Sequence, residues 1–216
     1  MRRRYMIWCV CLMAWLIGSC AVAESQYDTL CRENTVTKAH AAAWIEIPGA
    51  SFSQPVMRHD SDDSFYASHD AAGAESEYGT LYIQAGYNAG NFSDPVTVIY
   101  GSSKKEGAPL RNLQETFSGR FEECSEILLH TPGETLRYEV FAAVPYSSIH
   151  ILHYFDFRVE RRYNGFFDSV YSTRLLGMHL NEEKRPMFGD RVLILSTGIR
   201  GDNMQRYLVM AKQIDE

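Results

Sequence analysis

Several residue types that could do chemistry gather near the end of the chain, in LILSTGIRGDNMQRYLVMAK (Leu193 to Lys212). Ser196 and Thr197 place two hydroxyls at the end of an apolar run, and Arg206 places a guanidinium at the start of the next one. A hydroxyl becomes a nucleophile only when a base removes its proton. No histidine stands beside this pair, and Ser and Thr at strand ends ordinarily satisfy themselves with local hydrogen bonds. A guanidinium stays charged and offers a planar fork of donors to a carboxylate or a peptide backbone. Arg206, with Ser196 and Thr197, therefore reads as a binding group. A second hydroxyl pair, Ser102-Ser103, follows the run Val96 to Tyr100. Ser102 has no group that titrates near neutrality, so it cannot act as acid or base as an imidazole would.

The histidines do not form a metal site on this reading. His150 and His153 fall three apart in an expected strand, which directs them to opposite faces. His69 sits in DSFYASHDAAG and reads as structural, while His130 and His179 stand alone. No glycine-rich loop marks a strand-to-helix junction, so nucleotide chemistry is not suggested. No metal and no cofactor is expected.

The elements that must position these groups are mostly strands. Trp44 to Ile47 alternates and stops at Pro48-Gly49; Ser53 to Met57 is a second short strand. Tyr78 to Gln84 is a third. Val96 to Tyr100, rich in β-branched residues, is a buried central strand that delivers Ser102 just past its end. Ile127 to Leu129 and Thr135 to Val144 form a hairpin around Pro132-Gly133, and Ile149 to Phe157 continues the sheet. Arg191 to Leu195 and Tyr207 to Met210 are the last strands. Helices are expected over 25–43, over 110–117 and, from the spacing of Phe166, Phe167, Val170, Tyr171 and Leu175, over 166–176. The loops Asp60 to Ala67 and Tyr87 to Asp94 are polar. The abundance of tyrosine (13) and phenylalanine (11) suits a β-rich fold.

Six segments together resemble the class B sortases, surface transpeptidases of mostly Gram-positive bacteria. LSTG (Leu195 to Gly198) is similar to the triplet that precedes their nucleophilic cysteine, and Arg206 matches their arginine. TVIYGSSKKEG (Thr97 to Gly107) resembles their T-V-I-Y-G-H-N, which supplies a histidine. DSFYASHDAAG (Asp63 to Gly73) matches F-Y-x-x-H-D-x-x-G, and YGTLYI (Tyr78 to Ile83) matches Y-G-x-L-F. LLHTPGETLRYEVFAAV (Leu128 to Val144) matches a Y-x-T-P, Y-x-I-F-x-V hairpin, and AAAWIEIPGASFSQPVM (Ala41 to Met57) is similar to the opening strands. The resemblance implies a mostly β, closed-barrel fold with an N-terminal helix and a helix in the long connection before the last-but-one strand. It also implies a cysteine–histidine–arginine site for cleaving N-P-x-T-type signals. At the matching positions this chain has Gly198 for the cysteine, Ser102 for the histidine and Ser103 for the asparagine; only Arg206 remains. A pseudo-sortase that binds a sorting-signal peptide, a pilin or another surface protein is the expectation. The alternatives are an active transpeptidase using an unrecognised site, and a structural accessory of surface-protein or pilus assembly.

The chain has 216 residues, the size of one domain. Its organisation reads as a targeting segment over 1–23, the N-terminal helix over 24–43 and the barrel over 44–216. Residues 1–23 carry Arg2, Arg3 and Arg4, an apolar run from Met6 to Ile17, and Ala21-Val22-Ala23. Three readings share these residues: a cleaved signal peptide, an uncleaved membrane anchor, and lipidation at Cys20. Each puts the body outside the cytoplasm, with only the N-terminal segment in contact with membrane. Without those three arginines, 18 basic residues face 27 acidic ones. A net charge of −9 argues against nucleic acid as a partner. Of the five cysteines, Cys31 and Cys124 lie beyond the segment; each reads as a free, buried or inert thiol, with a disulfide between them as the alternative that an oxidising exterior allows.

Overall fold

The computed structural model describes residues 24–103, 106–173, 175 and 178–214. The targeting segment 1–23, with Cys20, lies outside the described residues. Strand β1 (Ala41–Ile47) turns at Pro48-Gly49 and returns antiparallel as β2 (Phe52–His59). The turn needs a glycine: a Cβ at Gly49 would sit 1.9 Å from the Glu123 carbonyl oxygen. Strand β3 (Leu81–Gln84) runs parallel to β2, and β4 (Val96–Tyr100) antiparallel to β3. The chain then makes helix α2 (Leu113–Gly119), following α1 (Gln26–Glu33) at the N-terminus. Strands β5 (Glu126–His130) and β6 (Thr135–Ser147) form the hairpin around Pro132-Gly133. Helices α3 (Ile151–Tyr154) and α4 (Glu160–Ser172) and the two-residue strand β7 (His179–Leu180) fill the long connection. Strands β8 (Val192–Ile199) and β9 (Asp202–Ile214) end the sheet.

Pairing runs β5-β1-β2-β3-β4-β8-β9-β6, and β6 pairs back to β5. The eight strands therefore close into a barrel, and β7 is added on β6. Closure removes the exposed edges that an open sheet would present. Alternation then sorts the side chains. Ile45, Val56, Leu81, Ile99, Leu129, Leu193, Leu195 and Val209 share the barrel interior. Their neighbours Val96, Val98, Val192, Ile194, Leu208 and Met210 face outward under a second apolar layer. That layer is α4, whose Tyr163, Phe166, Phe167, Val170 and Tyr171 recur at helical spacing and are all buried. Burial on both faces is why β4 and the first half of β8 read as unbroken apolar runs. A third cluster joins Tyr27 and Cys31 of α1 to Trp44, Met57 and Tyr66.

Four sequence expectations are corrected. The helix expected over 24–43 is α1 alone: Thr35 takes a positive φ of 57°, and strand β1 already begins at Ala41. The strand expected over 149–157 is α3 and a turn. His150 caps that helix, its Nδ1 accepting the His153 N–H at 3.1 Å, so His150 and His153 are not on opposite faces of a strand. Strand β3 is shortened to Leu81 because Gly79, with φ +60°, bends the chain before it. The helix of the long connection begins earlier than expected, at Glu160, and ends at Ser172. Apart from these four, Cys31 and Cys124 are the free, buried thiols that the sequence suggests, in separate apolar clusters.

Candidate functional site

The site is built where β4 and β8 end side by side. The two strands run parallel with Tyr100 opposite Ser196, and the Gly101 N–H extends the ladder to the Ser196 carbonyl at 3.2 Å. Ser102 and Ser103 therefore arrive beside Thr197 and Gly198. Ser102 is half-buried, and its carbonyl accepts the Leu110 N–H at 2.9 Å. The buried Ser103 hydroxyl donates to the Gly198 carbonyl. Across the next ladder Gly198 pairs with Arg206 of β9, and the register shifts directly after Gly198. A Cβ placed on Gly198 would meet nothing within 4 Å.

The expected residues divide between two flanks. On one flank the Gly198 backbone borders a cleft of about 330 Å³, lined also by Ser103, Arg111, Gln114, Glu115, Thr197 and Arg200. Thr197 alternates inward with Leu193 and Leu195 and is 1% exposed. Its hydroxyl has no hydrogen-bond partner among the described residues.

On the other flank lie Ser196 and Arg206. Arg206 Nε donates to Ser196 Oγ at 2.7 Å and Nη2 to the Ser196 carbonyl at 3.2 Å. The guanidinium lies over the Tyr100 ring, 5.5 Å from its centroid, a cation–π arrangement. Burial lowers the Arg206 pKa, opposed by the neighbouring Tyr100 and Tyr82. Among the described residues no carboxylate comes within ion-pair distance of it. Arg206 is thus half-buried rather than a surface strand-start residue, and it does not border the cleft over Gly198.

An aromatic wall surrounds Arg206 that the sequence did not single out. Tyr82 stacks on Tyr100 at 5.7 Å, and His150 lies 6.3 Å from Tyr100 and 4.6 Å from Tyr87. With Nδ1 accepting, His150 Nε2–H donates to Gln84 Oε1 at 2.9 Å. Burial, more than any nearby charge, pushes its pKa below the ordinary histidine value. Tyr100 was visible as the last residue of an apolar run. His150 was not, because its segment looked like strand.

The remaining histidines are held by local contacts. His69 stacks on Phe65 at 3.9 Å and its Nδ1 bonds the Phe65 carbonyl. Buried His130 contacts Thr135 at 2.8 Å and Glu46 at 3.1 Å. His179 stacks on Phe121 and bonds the Ser118 carbonyl. Among the described residues no three His, Cys, Asp or Glu side chains gather as a metal site. Both described thiols are buried in apolar clusters, and neither borders the cleft over Gly198. With glycine at 198, this end of β8 offers donors and a cation but no thiolate.

No family model matches the sequence, and no curated relative matches it. Solved structures do. The Staphylococcus aureus sortase B–substrate complex superposes with a TM-score of 0.70 at 20% identity, over 88% of this chain and 85% of that one. Clostridium perfringens sortase B, as the C232S mutant, gives 0.69 at 20% identity, over 87% and 85%. Bacillus anthracis sortase B with AAEK1 gives 0.70 at 18% identity, over 89% and 88%. Agreement over nearly the whole of both chains, with a closed eight-strand barrel, establishes the architecture. The chain has the class B sortase fold.

Proposed function

We propose that this protein is an exported, sortase-type protein that binds a sorting-signal peptide or a surface protein, such as a pilin, without transpeptidating it. One observation carries the reading. The strand end that would present the nucleophile carries Gly198, with open space where a side chain would stand. A class B neighbour of the same fold is a substrate complex, which supports a peptide as the kind of partner. Loss of a triad nucleophile typically costs about 10⁶ in rate, and a serine at 102 restores no acid–base group. Binding does not need either. Arg206 keeps charge and donor groups that can meet a peptide carbonyl, and an arginine can bind without a reaction following.

The test uses the full-length chain and a fluorogenic N-P-x-T-type peptide. Neither cleavage nor a thioester adduct is expected. Turnover above background would overturn the inactive reading. Gly198→Cys with Ser102→His should recover cleavage, and Gly198→Cys alone far less, because the thiolate would lack its acid partner. A folded double variant whose new thiol is alkylated but which cleaves nothing would show that the groove no longer fits such peptides. The second reading, a structural accessory, draws on the bond from Ser103 to Gly198. That bond ties β4 to β8 where a catalytic pair would need freedom to reach substrate.

A further inference from the structure

The cleft over Gly198 has a chemistry of its own, independent of any peptide laid along Arg206. It combines three features. Its border carries two guanidiniums, Arg111 and Arg200, against one carboxylate, Glu115, in a protein whose net charge is −6. Among the described residues none of the three is in an ion pair. The cleft is also lined by Thr197, whose buried hydroxyl has no partner among the described residues. A buried donor left unpaired costs about 1–3 kcal/mol, and a ligand oxygen would remove that cost. Gln114 adds an amide donor. Finally, the cleft has a volume of about 330 Å³, room for a small oxyanion or a chain terminus.

We propose that this cleft is a non-covalent anion site, taking a carboxylate or phosphate group between Arg111 and Arg200 with Thr197 beneath it. Arginine forks match both groups in geometry. Glu115 opposes the anion and limits its affinity.

The experiment is a chemical-shift titration of the ¹⁵N-labelled full-length protein at low ionic strength. The probes are inorganic phosphate, acetate, and N-acetyl-tetraalanine as free acid and as carboxamide. Saturable shifts at the Ser103, Thr197 and Gly198 amides are expected. Saturation by phosphate alone identifies a phosphoryl ligand; saturation by acetate and the free acid, with the carboxamide about tenfold weaker, identifies a carboxylate. Arg111→Gln and Arg200→Gln should each weaken binding about tenfold, while Arg161→Gln on α4 should not. Shifts that never saturate, or that survive in the double arginine variant, overturn the proposal. Should the arginine variants lose their dispersed spectra, Thr197→Val and Glu115→Gln replace them. The first should weaken binding and the second tighten it severalfold; the reverse, or no change in both, overturns the site. None of these probes is a sorting peptide, so failure here leaves the peptide-binding reading standing.

Discussion

The two flanks of the β8 terminus could hardly be treated more differently by the fold. On the outer flank Ser196 and Arg206 are locked by hydrogen bonds, covered by tyrosine rings and continuous with the apolar layer beneath α4. On the other flank Thr197 and the Gly198 backbone border an open cleft, and Ser103 holds the Gly198 carbonyl rather than a side chain. The difference teaches where selection for packing ends. A filled flank resists any change of volume, whereas an open one tolerates change and is free to take a ligand.

The contrast can be broken by measuring both sides. The largest effect should come from the filled flank: Phe166→Ala removes a fully buried ring and should cost about 3–5 kcal/mol in chemical denaturation. A loss below about 1 kcal/mol would mean that the layer under α4 is loosely packed. Next comes Arg206→Ala. Its charge-assisted bonds to a peptide backbone are worth about 1.5–3 kcal/mol each, so titration calorimetry should show ten- to a hundredfold weaker peptide binding. Arg206→Lys should recover only part, lacking the fork. Unchanged affinity in Arg206→Ala would make the arginine scaffold and move peptide binding off this flank.

A pH measurement sharpens the same side. Burial lowers the folded pKa of His150, while the unfolded chain keeps the ordinary value of about 6.5. Between the two values the unfolded state binds more protons, so stability is complete above about pH 6.5 and falls as pH drops through the folded value. Arg206, His153 and Asp63 are the charged or titratable neighbours that act on it. His150→Gln should flatten that part of the urea-midpoint profile; an identical profile would exclude His150 as its source. The smallest effect belongs to Gly198, whose missing side chain lies on the face it shares with Arg206. Gly198→Ala meets no atom and relieves a strand glycine, so it should raise stability by about 0.5–1 kcal/mol. A loss instead would show that the space beside Gly198 is filled in solution.

Strand patterning made most of the barrel legible, because burial on one or both faces writes itself into every second residue. Val96 to Tyr100 was read to the residue. The segment after β6 was misread since Ile149 to Phe157 is apolar and short, and such a run suits a strand or a helical turn equally. The identities at 102, 198 and 206 were legible by position. What could not be read was their division: alternation along β8 sends Thr197 inward and Ser196 outward, and only the register with β9 shows which flank Arg206 joins. Arg111 and Arg200 come from a loop and a turn, where no periodicity announces a direction.

The parallel seam between β4 and β8 also sets the order in which the molecule can be made. Val96 is paired with Val192, almost half the chain further on, and the residues in between already form the β5–β6 hairpin and α4. Distant pairings of this kind are slow to form because the intervening loop must close first. On a chain emerging N-terminus first, both flanks of the β8 terminus stay unassembled until β8 and β9 arrive. A truncated or stalled product would therefore carry an unclosed sheet and no recognition surface, so that ligand competence itself reports a completed chain.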